Sequence, residues 1–323
     1  GNTGTLNNLA DGTLTTFAVA ANGDLCWYDA DNGKIRRLHA GRVNSVAGSG
    51  AYGATGDGGA ATAAAIRVDG LAVSPVDGSI LFVDAAASVV RRVVVGGTIS
   101  RVAGTTGTPG DQGDGGAATA ARLNGPSDLA VSASGTVYVA DTMNNKVKAF
   151  TVGGTISTVA GDGTTLIYPG ATLTATTTGV AYPSAIDWSA DRGLLIDSFG
   201  LIRRLSGTDL IRVAGDLFDD TASDADGTPA TVIAYGKNDT IDAITWAAST
   251  LHVLARGPAP AGGERSRVRA AGPWSSGVAS TAPGAPIVAP VATAGQSSAT
   301  VTWVAAANGG SAITGYRITA SPG

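Results

Sequence analysis

Glutamate is nearly missing from this chain. Of 25 acidic residues only Glu264 is a glutamate, and of 21 basic residues only four are lysines. Glutamate and lysine favour helices while aspartate favours turns, so the balance excludes a mainly helical protein. One cysteine, Cys26, excludes a disulfide framework and a cysteine-based zinc site. Two histidines, His39 and His252, leave little material for histidine-rich metal chemistry. Charged residues make up 14% of the chain, against a usual share of roughly 25%. With a net charge of -4 and a pI near 5.1 there is no basic footprint, and no nucleic-acid partner is expected. No apolar run approaches the roughly 18 residues of a membrane span, so no membrane insertion is expected. No signal peptide is visible, yet Gly1 is an unusual first residue, so sequence upstream is expected. What is plentiful is glycine, 47 residues of 323, together with threonine and valine. Hydrophobic residues still reach 44%, enough to build a core. This composition points to many short strands joined by tight turns.

The turns recur at a fixed period. Val-Ala-Gly ends at Gly48, Gly104, Gly161 and Gly215, and a degenerate Arg-Ala-Ala-Gly ends at Gly272, at intervals of 56, 57, 54 and 57 residues. The surrounding pattern repeats as well and is clearest between Ser127 and Gly161. Leu129-Ala-Val-Ser reads as a first strand, Val137-Tyr-Val-Ala-Asp141 as a second, Asn144 to Phe150 as a third and Thr155 to Ala160 as a fourth. Gly153-Gly154 gives a hairpin signal between the last two. Second strands close with Asp29, Asp84, Asp141 and Asp197, where the fifth unit has Ala255. Third strands carry Arg36, Arg91, Lys148 and Arg203 at one equivalent position. Five units of four antiparallel strands cannot each bury two faces alone. Radial stacking buries them, which makes the expected fold an all-β propeller of four-stranded antiparallel blades.

The segments Gly56-Asp-Gly-Gly-Ala-Ala-Thr-Ala-Ala and Gly113-Asp-Gly-Gly-Ala-Ala-Thr-Ala-Ala resemble the inter-blade loop of bacterial NHL-repeat propellers. Leu123-Asn-Gly-Pro-Ser, Val137-Tyr-Val-Ala-Asp141 and Asn145-Lys-Val-Lys148 fit the same family in order. The similarity runs from about residue 12 to 272 and decays in the fourth and fifth units. Ala60 and Ala117 stand where the family usually has proline. The family most often has six blades, whereas five units are found here, so the ring has five or has a sixth upstream. Beyond Gly272 the composition shifts. Residues 273–282 read as a linker, and 283–323, with Ala299-Thr-Val-Thr-Trp303 and Tyr316, resemble the first part of a fibronectin type III sandwich. Such a domain needs roughly 90 to 100 residues, so this one is expected to be truncated. The expected domains are therefore 1–272, the linker 273–282, and 283–323.

Recurring polar residues invite chemical readings. Asp29, Asp84, Asp141 and Asp197 are expected to cap turn amides, which would keep them ionised. The basic third-strand residues are expected to pair with nearby aspartates, and the adjacent arginines at 36–37, 91–92 and 203–204 to face opposite ways. The glycine loops lack the Lys and Ser/Thr of a phosphate loop, and hard oxygens at Asp57 and Asp114 suit calcium better. A second calcium candidate is the acidic cluster Asp216, Asp219, Asp220, Asp224 and Asp226, alternatively a solvated loop, since no EF-hand glutamate follows. No other cofactor is expected. Trp188 and Trp246 align with Val73 and Val131 and are expected to be mostly buried; Trp274 is expected to be exposed. Cys26, mid-strand, is expected to be an inert thiol. His39 and His252 occupy unmatched positions, so no catalytic His–Asp pair and no catalytic residue are expected.

The functional expectation is a non-catalytic extracellular binding or scaffold module, recognising protein or glycan through its loops and joined to further domains of the same chain. Bacterial NHL and fibronectin modules imply a secreted, cell-surface or virion-associated protein. Two alternatives stay open: a structural or host-recognition part of a large assembly such as a phage tail or surface filament, and a calcium-dependent propeller hydrolase or lyase.

Overall fold

The computed structural model describes residues 16–166, 172–190, 192–214, 240–247, 250–258, 264–271, 291–294 and 299–302; from 240 onward it gives strand pairing and, of side chains, Ile244 alone. Three antiparallel four-stranded sheets follow in chain order. The first is β1 (Phe17–Val19), β2 (Leu25–Asp29), β3 (Lys34–His39) and β4 (Arg42–Ala47). The second is β5 (Gly70–Val73), β6 (Ile80–Asp84), β7 (Val89–Val93) and β8 (Ile99–Ala103). The third is β9 (Asp128–Val131), β10 (Val137–Asp141), β11 (Lys146–Phe150) and β12 (Ile156–Ala160). A fourth sheet has β14 (Pro183–Ser189), β15 (Gly193–Ser198), β16 (Leu201–Ser206) and β17 (Asp209–Ala214), with β13 (Thr172–Thr174) added outside β17. Among the described residues the only helical pieces are short 3-10 turns such as Ala61–Ala63 and Ala118–Ala120.

The fifth unit departs from expectation. It holds β18 (Thr240–Ala247), β19 (Thr250–Pro258) and β20 (Glu264–Ala271). β20, which runs into the degenerate copy at Gly272, pairs directly with β19, opposing Leu251 to Ala271. It therefore holds a third-strand place, whereas every intact Val-Ala-Gly that is described ends a fourth strand. The even spacing hid this because β19 and β20 are each longer than their counterparts. Beyond it, β21 (Val291–Ala294) and β22 (Ala299–Thr302) form one antiparallel hairpin. This pair does not show a fibronectin sandwich; Trp274, Trp303 and Tyr316 lie outside the described residues.

First strands pack on one another in succession, β1 on β5, β5 on β9, β9 on β14 and β14 on β18. This is the radial order of a propeller. Alternation then supplies two interfaces from each strand. In β6, Ile80 and Phe82 face the first blade with Tyr28, Ile35, Ile66 and Val68. Leu81 and Val83 face the third blade with Leu123, Leu129, Val139 and Phe150. Every residue of β6 is thus buried, as a strand covered on both faces requires. Trp188 keeps only a minor part of its surface exposed and packs beside Ile186, Leu194 and Ile196, in line with a mostly buried ring. Its partial exposure matches Val73 and Val131, which also only flank the core. Trp188→Ala is expected to cost about 2 kcal/mol in chemical denaturation, below the roughly 3–5 of a fully buried tryptophan. Trp246 pairs with Leu251 in the β18–β19 ladder.

The glycine loops cap sheet edges. Gly58 and Ile99 exchange backbone bonds (Gly58 N to Ile99 O 2.8 Å; Ile99 N to Gly59 O 3.1 Å). Gly115, Gly116 and Ile156 repeat the pattern one blade on. Each loop therefore covers the outer strand of the blade it leads into, occupying amides that would otherwise invite another chain.

Candidate functional site

Third-strand cations hold these loops in place. Arg91, with no solvent exposure, donates from Nε to Asp57 Oδ1 (3.0 Å) and through its two terminal nitrogens to the carbonyls of Ala65 and Thr55 (2.9 Å each). Lys148 reaches Asp114 Oδ1 at 2.7 Å and Asp111 Oδ1 at 3.0 Å. Burial would pull this ammonium down, but the bonds to Asp114 and Asp111 outweigh it and hold it above the usual lysine value. For Asp114, burial is likewise outweighed by Lys148 and Thr158, which keep the carboxyl low. The calcium candidates Asp57 and Asp114 are therefore each engaged by a cation of the protein. Asp216, Asp219, Asp220, Asp224 and Asp226 lie outside the described residues. Among the described residues no group of three or more metal-ligating side chains converges. Arg36 instead pairs with Asp29 (2.9 Å). The neighbouring arginines face the other way, as expected: Arg37 bonds Asp24 and Arg92 bonds Asp77, both at first hairpins. Arg203 is buried, and burial together with Arg212 pulls it down to about 10. Cys26 is buried and pushed up to about 11, an inert thiol.

The structure adds a contact that the repeat does not announce. His39 Nδ1 lies 2.9 Å from Asp24 Oδ1, so a His–Asp pair exists. The repeat alignment missed it because Asp24 is not one of the recurring aspartates; it stands just before β2, beside the last residue of β3. His39 is 55% exposed, and Asp24 also receives Nε of Arg37 at 2.8 Å. His39, then Arg37 and Asn22, draw Asp24 down to about 2. His252 sits in β19 opposite Thr245 and Ala270.

The recurring aspartates correct an expectation. They do accept amides: Ala87 N on Asp84 (2.9 Å), Asn32 N on Asp29 (3.3 Å) and Gly200 N on Asp197 (3.1 Å). Asp141 takes Asn124 N from the inter-blade segment at 2.7 Å. Yet only Asp29 is held low; burial outweighs the amide bonds at the other three. Asp141 is pushed up to about 6 and Asp197 to about 7. Asp128, unread in the sequence, bridges blades by accepting Ile186 N at 2.9 Å, and burial pushes it to about 7. Amide capping was legible from the turn position, whereas depth of burial depends on the neighbouring blade.

The end of a second strand and the start of a first strand meet at the same end of each blade, because the strands are antiparallel. In blades three and four this end gathers a hydroxyl network. Ser184 Oγ donates to Asp197 (2.6 Å), and Thr142 Oγ1 lies 2.7 Å from Ser127 Oγ and 2.8 Å from Pro183 O. Around it Met143, Tyr182 and Phe199 are exposed. Met143 and Phe199 share one repeat position, two residues after Asp141 and Asp197, but the side chain there differs in every blade, so the periodic reading passed over it.

Comparison with known proteins bears on this blade. Residues 123–150 match the NHL repeat. The NHL match spans β9, β10 and β11 and ends at Phe150, covering Asp128, Asp141 and Met143. No curated protein matches the sequence. Among solved structures, a protein of unknown function from Bacteroides thetaiotaomicron is similar at 18% identity and a TM-score of 0.42, over 61% of this chain and 46% of its own. Virginiamycin B lyase from Staphylococcus aureus is similar at 13% identity and TM-score 0.44, over 79% and 75%. An auxiliary nutrient binding protein from Bacteroides ovatus follows at 17% and 0.41, over 57% and 45%. This chain thus spans less than half the length of two of these three. No helix among the described residues is long and apolar enough to cross a membrane.

Proposed function

We propose that the chain is a non-catalytic binding module of a larger surface, secreted or virion-associated protein, using the blade end that carries Met143, Tyr182 and Phe199. One observation carries this reading. The recurring charged residues are engaged inside the fold, Arg91 with Asp57 and Lys148 with Asp114, while the exposed position two residues after each recurring aspartate changes from blade to blade, Asp31, Ala86, Met143 and Phe199 in turn. Rigid blades presenting variable loops suit recognition rather than chemistry.

The His39–Asp24 pair supports a hydrolytic second reading, since an oriented imidazole can act as a general base. Against it stands Arg37, which neutralises the same carboxylate. The test sets binding against turnover. Wild type, the triple variant M143A/Y182A/F199A and His39→Ala are run on arrays of immobilised glycans and proteins and on ester and lactone substrates. Binding abolished by the triple variant and unaffected by His39→Ala is expected, with hydrolysis at buffer rate. Turnover lost on His39→Ala would replace the binding reading with the enzymatic one.

A further inference from the structure

Two exposed aromatic side chains stand where the backbone calls for glycine or asparagine. Phe199 and Gly200 form the two-residue turn between β15 and β16, with Ser198 paired to Leu201 and φ of 58° and 78°. Two positive φ angles are what a type I′ hairpin demands, and Asn-Gly is its usual sequence. Tyr182 has φ 43° and precedes Pro183. Its counterpart in blade three is Gly125, φ 55°, preceding Pro126. A bulky residue at positive φ is an outlier, and the residue before proline is restricted further.

Neighbouring groups hold both residues in these conformations. Tyr182 N donates to Asn145 Oδ1 at 3.0 Å, and Pro183 O accepts Thr142 Oγ1 at 2.8 Å and Ser127 Oγ at 3.3 Å. Ser198 Oγ donates to Ala181 O at 2.9 Å, tying the Phe199 turn to the Tyr182 segment. Blade three thus fixes Tyr182 through three side chains, and blade four fixes Phe199 beside it. The rings meet with centroids 6.1 Å apart and planes at 47°, while the two residues stay 41% and 60% exposed. Backbone strain of this kind persists where surrounding structure over-determines it, characteristically at ligand clamps.

We propose that Tyr182 and Phe199 form a stacking platform for one sugar ring of a glycan, a reading that rests on the binding module argued above. The rings touch, so no gap between them admits a quaternary ammonium group, which an aromatic cage would require. Beside the rings, Thr142 and Ser184 bring hydroxyls to Pro183 and Asp197, and Asn145 brings its amide to Tyr182 N. A protein partner of standard size would bury roughly 800 Å² on each side with an apolar centre. A pyranose has one C–H face of about ring size and a hydroxyl edge, which matches a ring pair bordered by hydroxyl and amide groups.

Calorimetric titration with hexasaccharides of glucose, mannose, galactose, xylose and N-acetylglucosamine tests this. At least one should bind, with Tyr182→Ala and Phe199→Ala each weakening it about tenfold and Phe199→Trp retaining it. Phe199→Gly separates a binding role from a structural one: it should abolish binding while raising the melting temperature, because glycine relieves the positive φ. Binding by none of the sugars, equal loss in Phe199→Trp and Phe199→Ala, or a lower melting temperature for Phe199→Gly would overturn the proposal. If sugars fail but array binding to a protein still depends on the triple variant, the glycan assignment falls and the binding module stands. If the triple variant changes nothing on either array, both fall.

Discussion

Replacing Gly161 by alanine is expected to cost roughly 3 kcal/mol or more, from left-handed strain and overpacking combined. Gly161 has φ 91°, and a Cβ built on it would lie 2.2 Å from Asn145 O and 2.9 Å from Lys146 Cα. Both obstacles are backbone of the turn entering β11, so no side chain can yield. The residue also donates its amide to Ala175 O at 2.8 Å, the first residue of the following 3-10 turn. Moving the backbone to make room would therefore break the latch between blades three and four. Gly48 and Gly104 share this geometry, with φ of 92° and 81° and a Cβ 2.2 and 2.3 Å from the carbonyls of Gly33 and Ser88. Gly153, φ 81° with nothing within 4 Å, is the control. Gly153→Ala meets the strain alone, about 1 kcal/mol. Equilibrium denaturation of both variants decides the matter: equal losses would mean that φ, not the close approach, explains the recurring Val-Ala-Gly.

That recurrence makes most of the fold legible in the sequence. Strand ends at Asp29, Asp84 and Asp141 fell where the repeat put them, because alternation and turn residues are local signals. The opposite facing of Arg91 and Arg92 followed from the two-residue strand period alone. What escaped depended on contacts between segments far apart in the chain. Asp24, just before β2, and His39, at the end of β3, match no recurring aspartate or histidine, so nothing in either neighbourhood marked the pair. The role of Asp57 in holding an edge-capping loop was hidden because a Gly-Asp-Gly-Gly run reads equally as a cation loop when its partner, Arg91, lies 34 residues away. Tyr182 carried a signal that went unused: it replaces the glycine of Gly125-Pro126 in an otherwise matching segment. Deviations from a repeat therefore point to the exposed end of the blades more directly than the repeated residues do.

Stability is expected to fall as pH rises from about 4 to 7.5, the reverse of ordinary acid denaturation. Burial lifts Asp128 and Asp197 from 3.8 to about 7, and Asp141 to about 6. Unfolding returns each to its ordinary value. Between 3.8 and 7 the folded protein therefore binds more protons than the unfolded chain, and folding weakens with each pH step. The contribution is complete below 3.8 and lost as pH passes the folded value. For Asp197, 2% exposed, the interval amounts to roughly 4 kcal/mol. Asp24 works the other way, but its stabilisation is present above 3.8 and lost only as pH falls towards 2. The two limbs place maximum stability near pH 4 to 5, below the range of about 5 to 8 where most proteins peak. Asp197→Asn keeps a carbonyl to accept Gly200 N or Ser184 Oγ and removes the charge. It should raise the melting temperature at pH 8, change it little at pH 4, and flatten the profile between. A wild-type melting temperature that climbs steadily from pH 4 to 7.5 would mean that these carboxylates are ionised in the fold, with water or a cation reaching them between the blades.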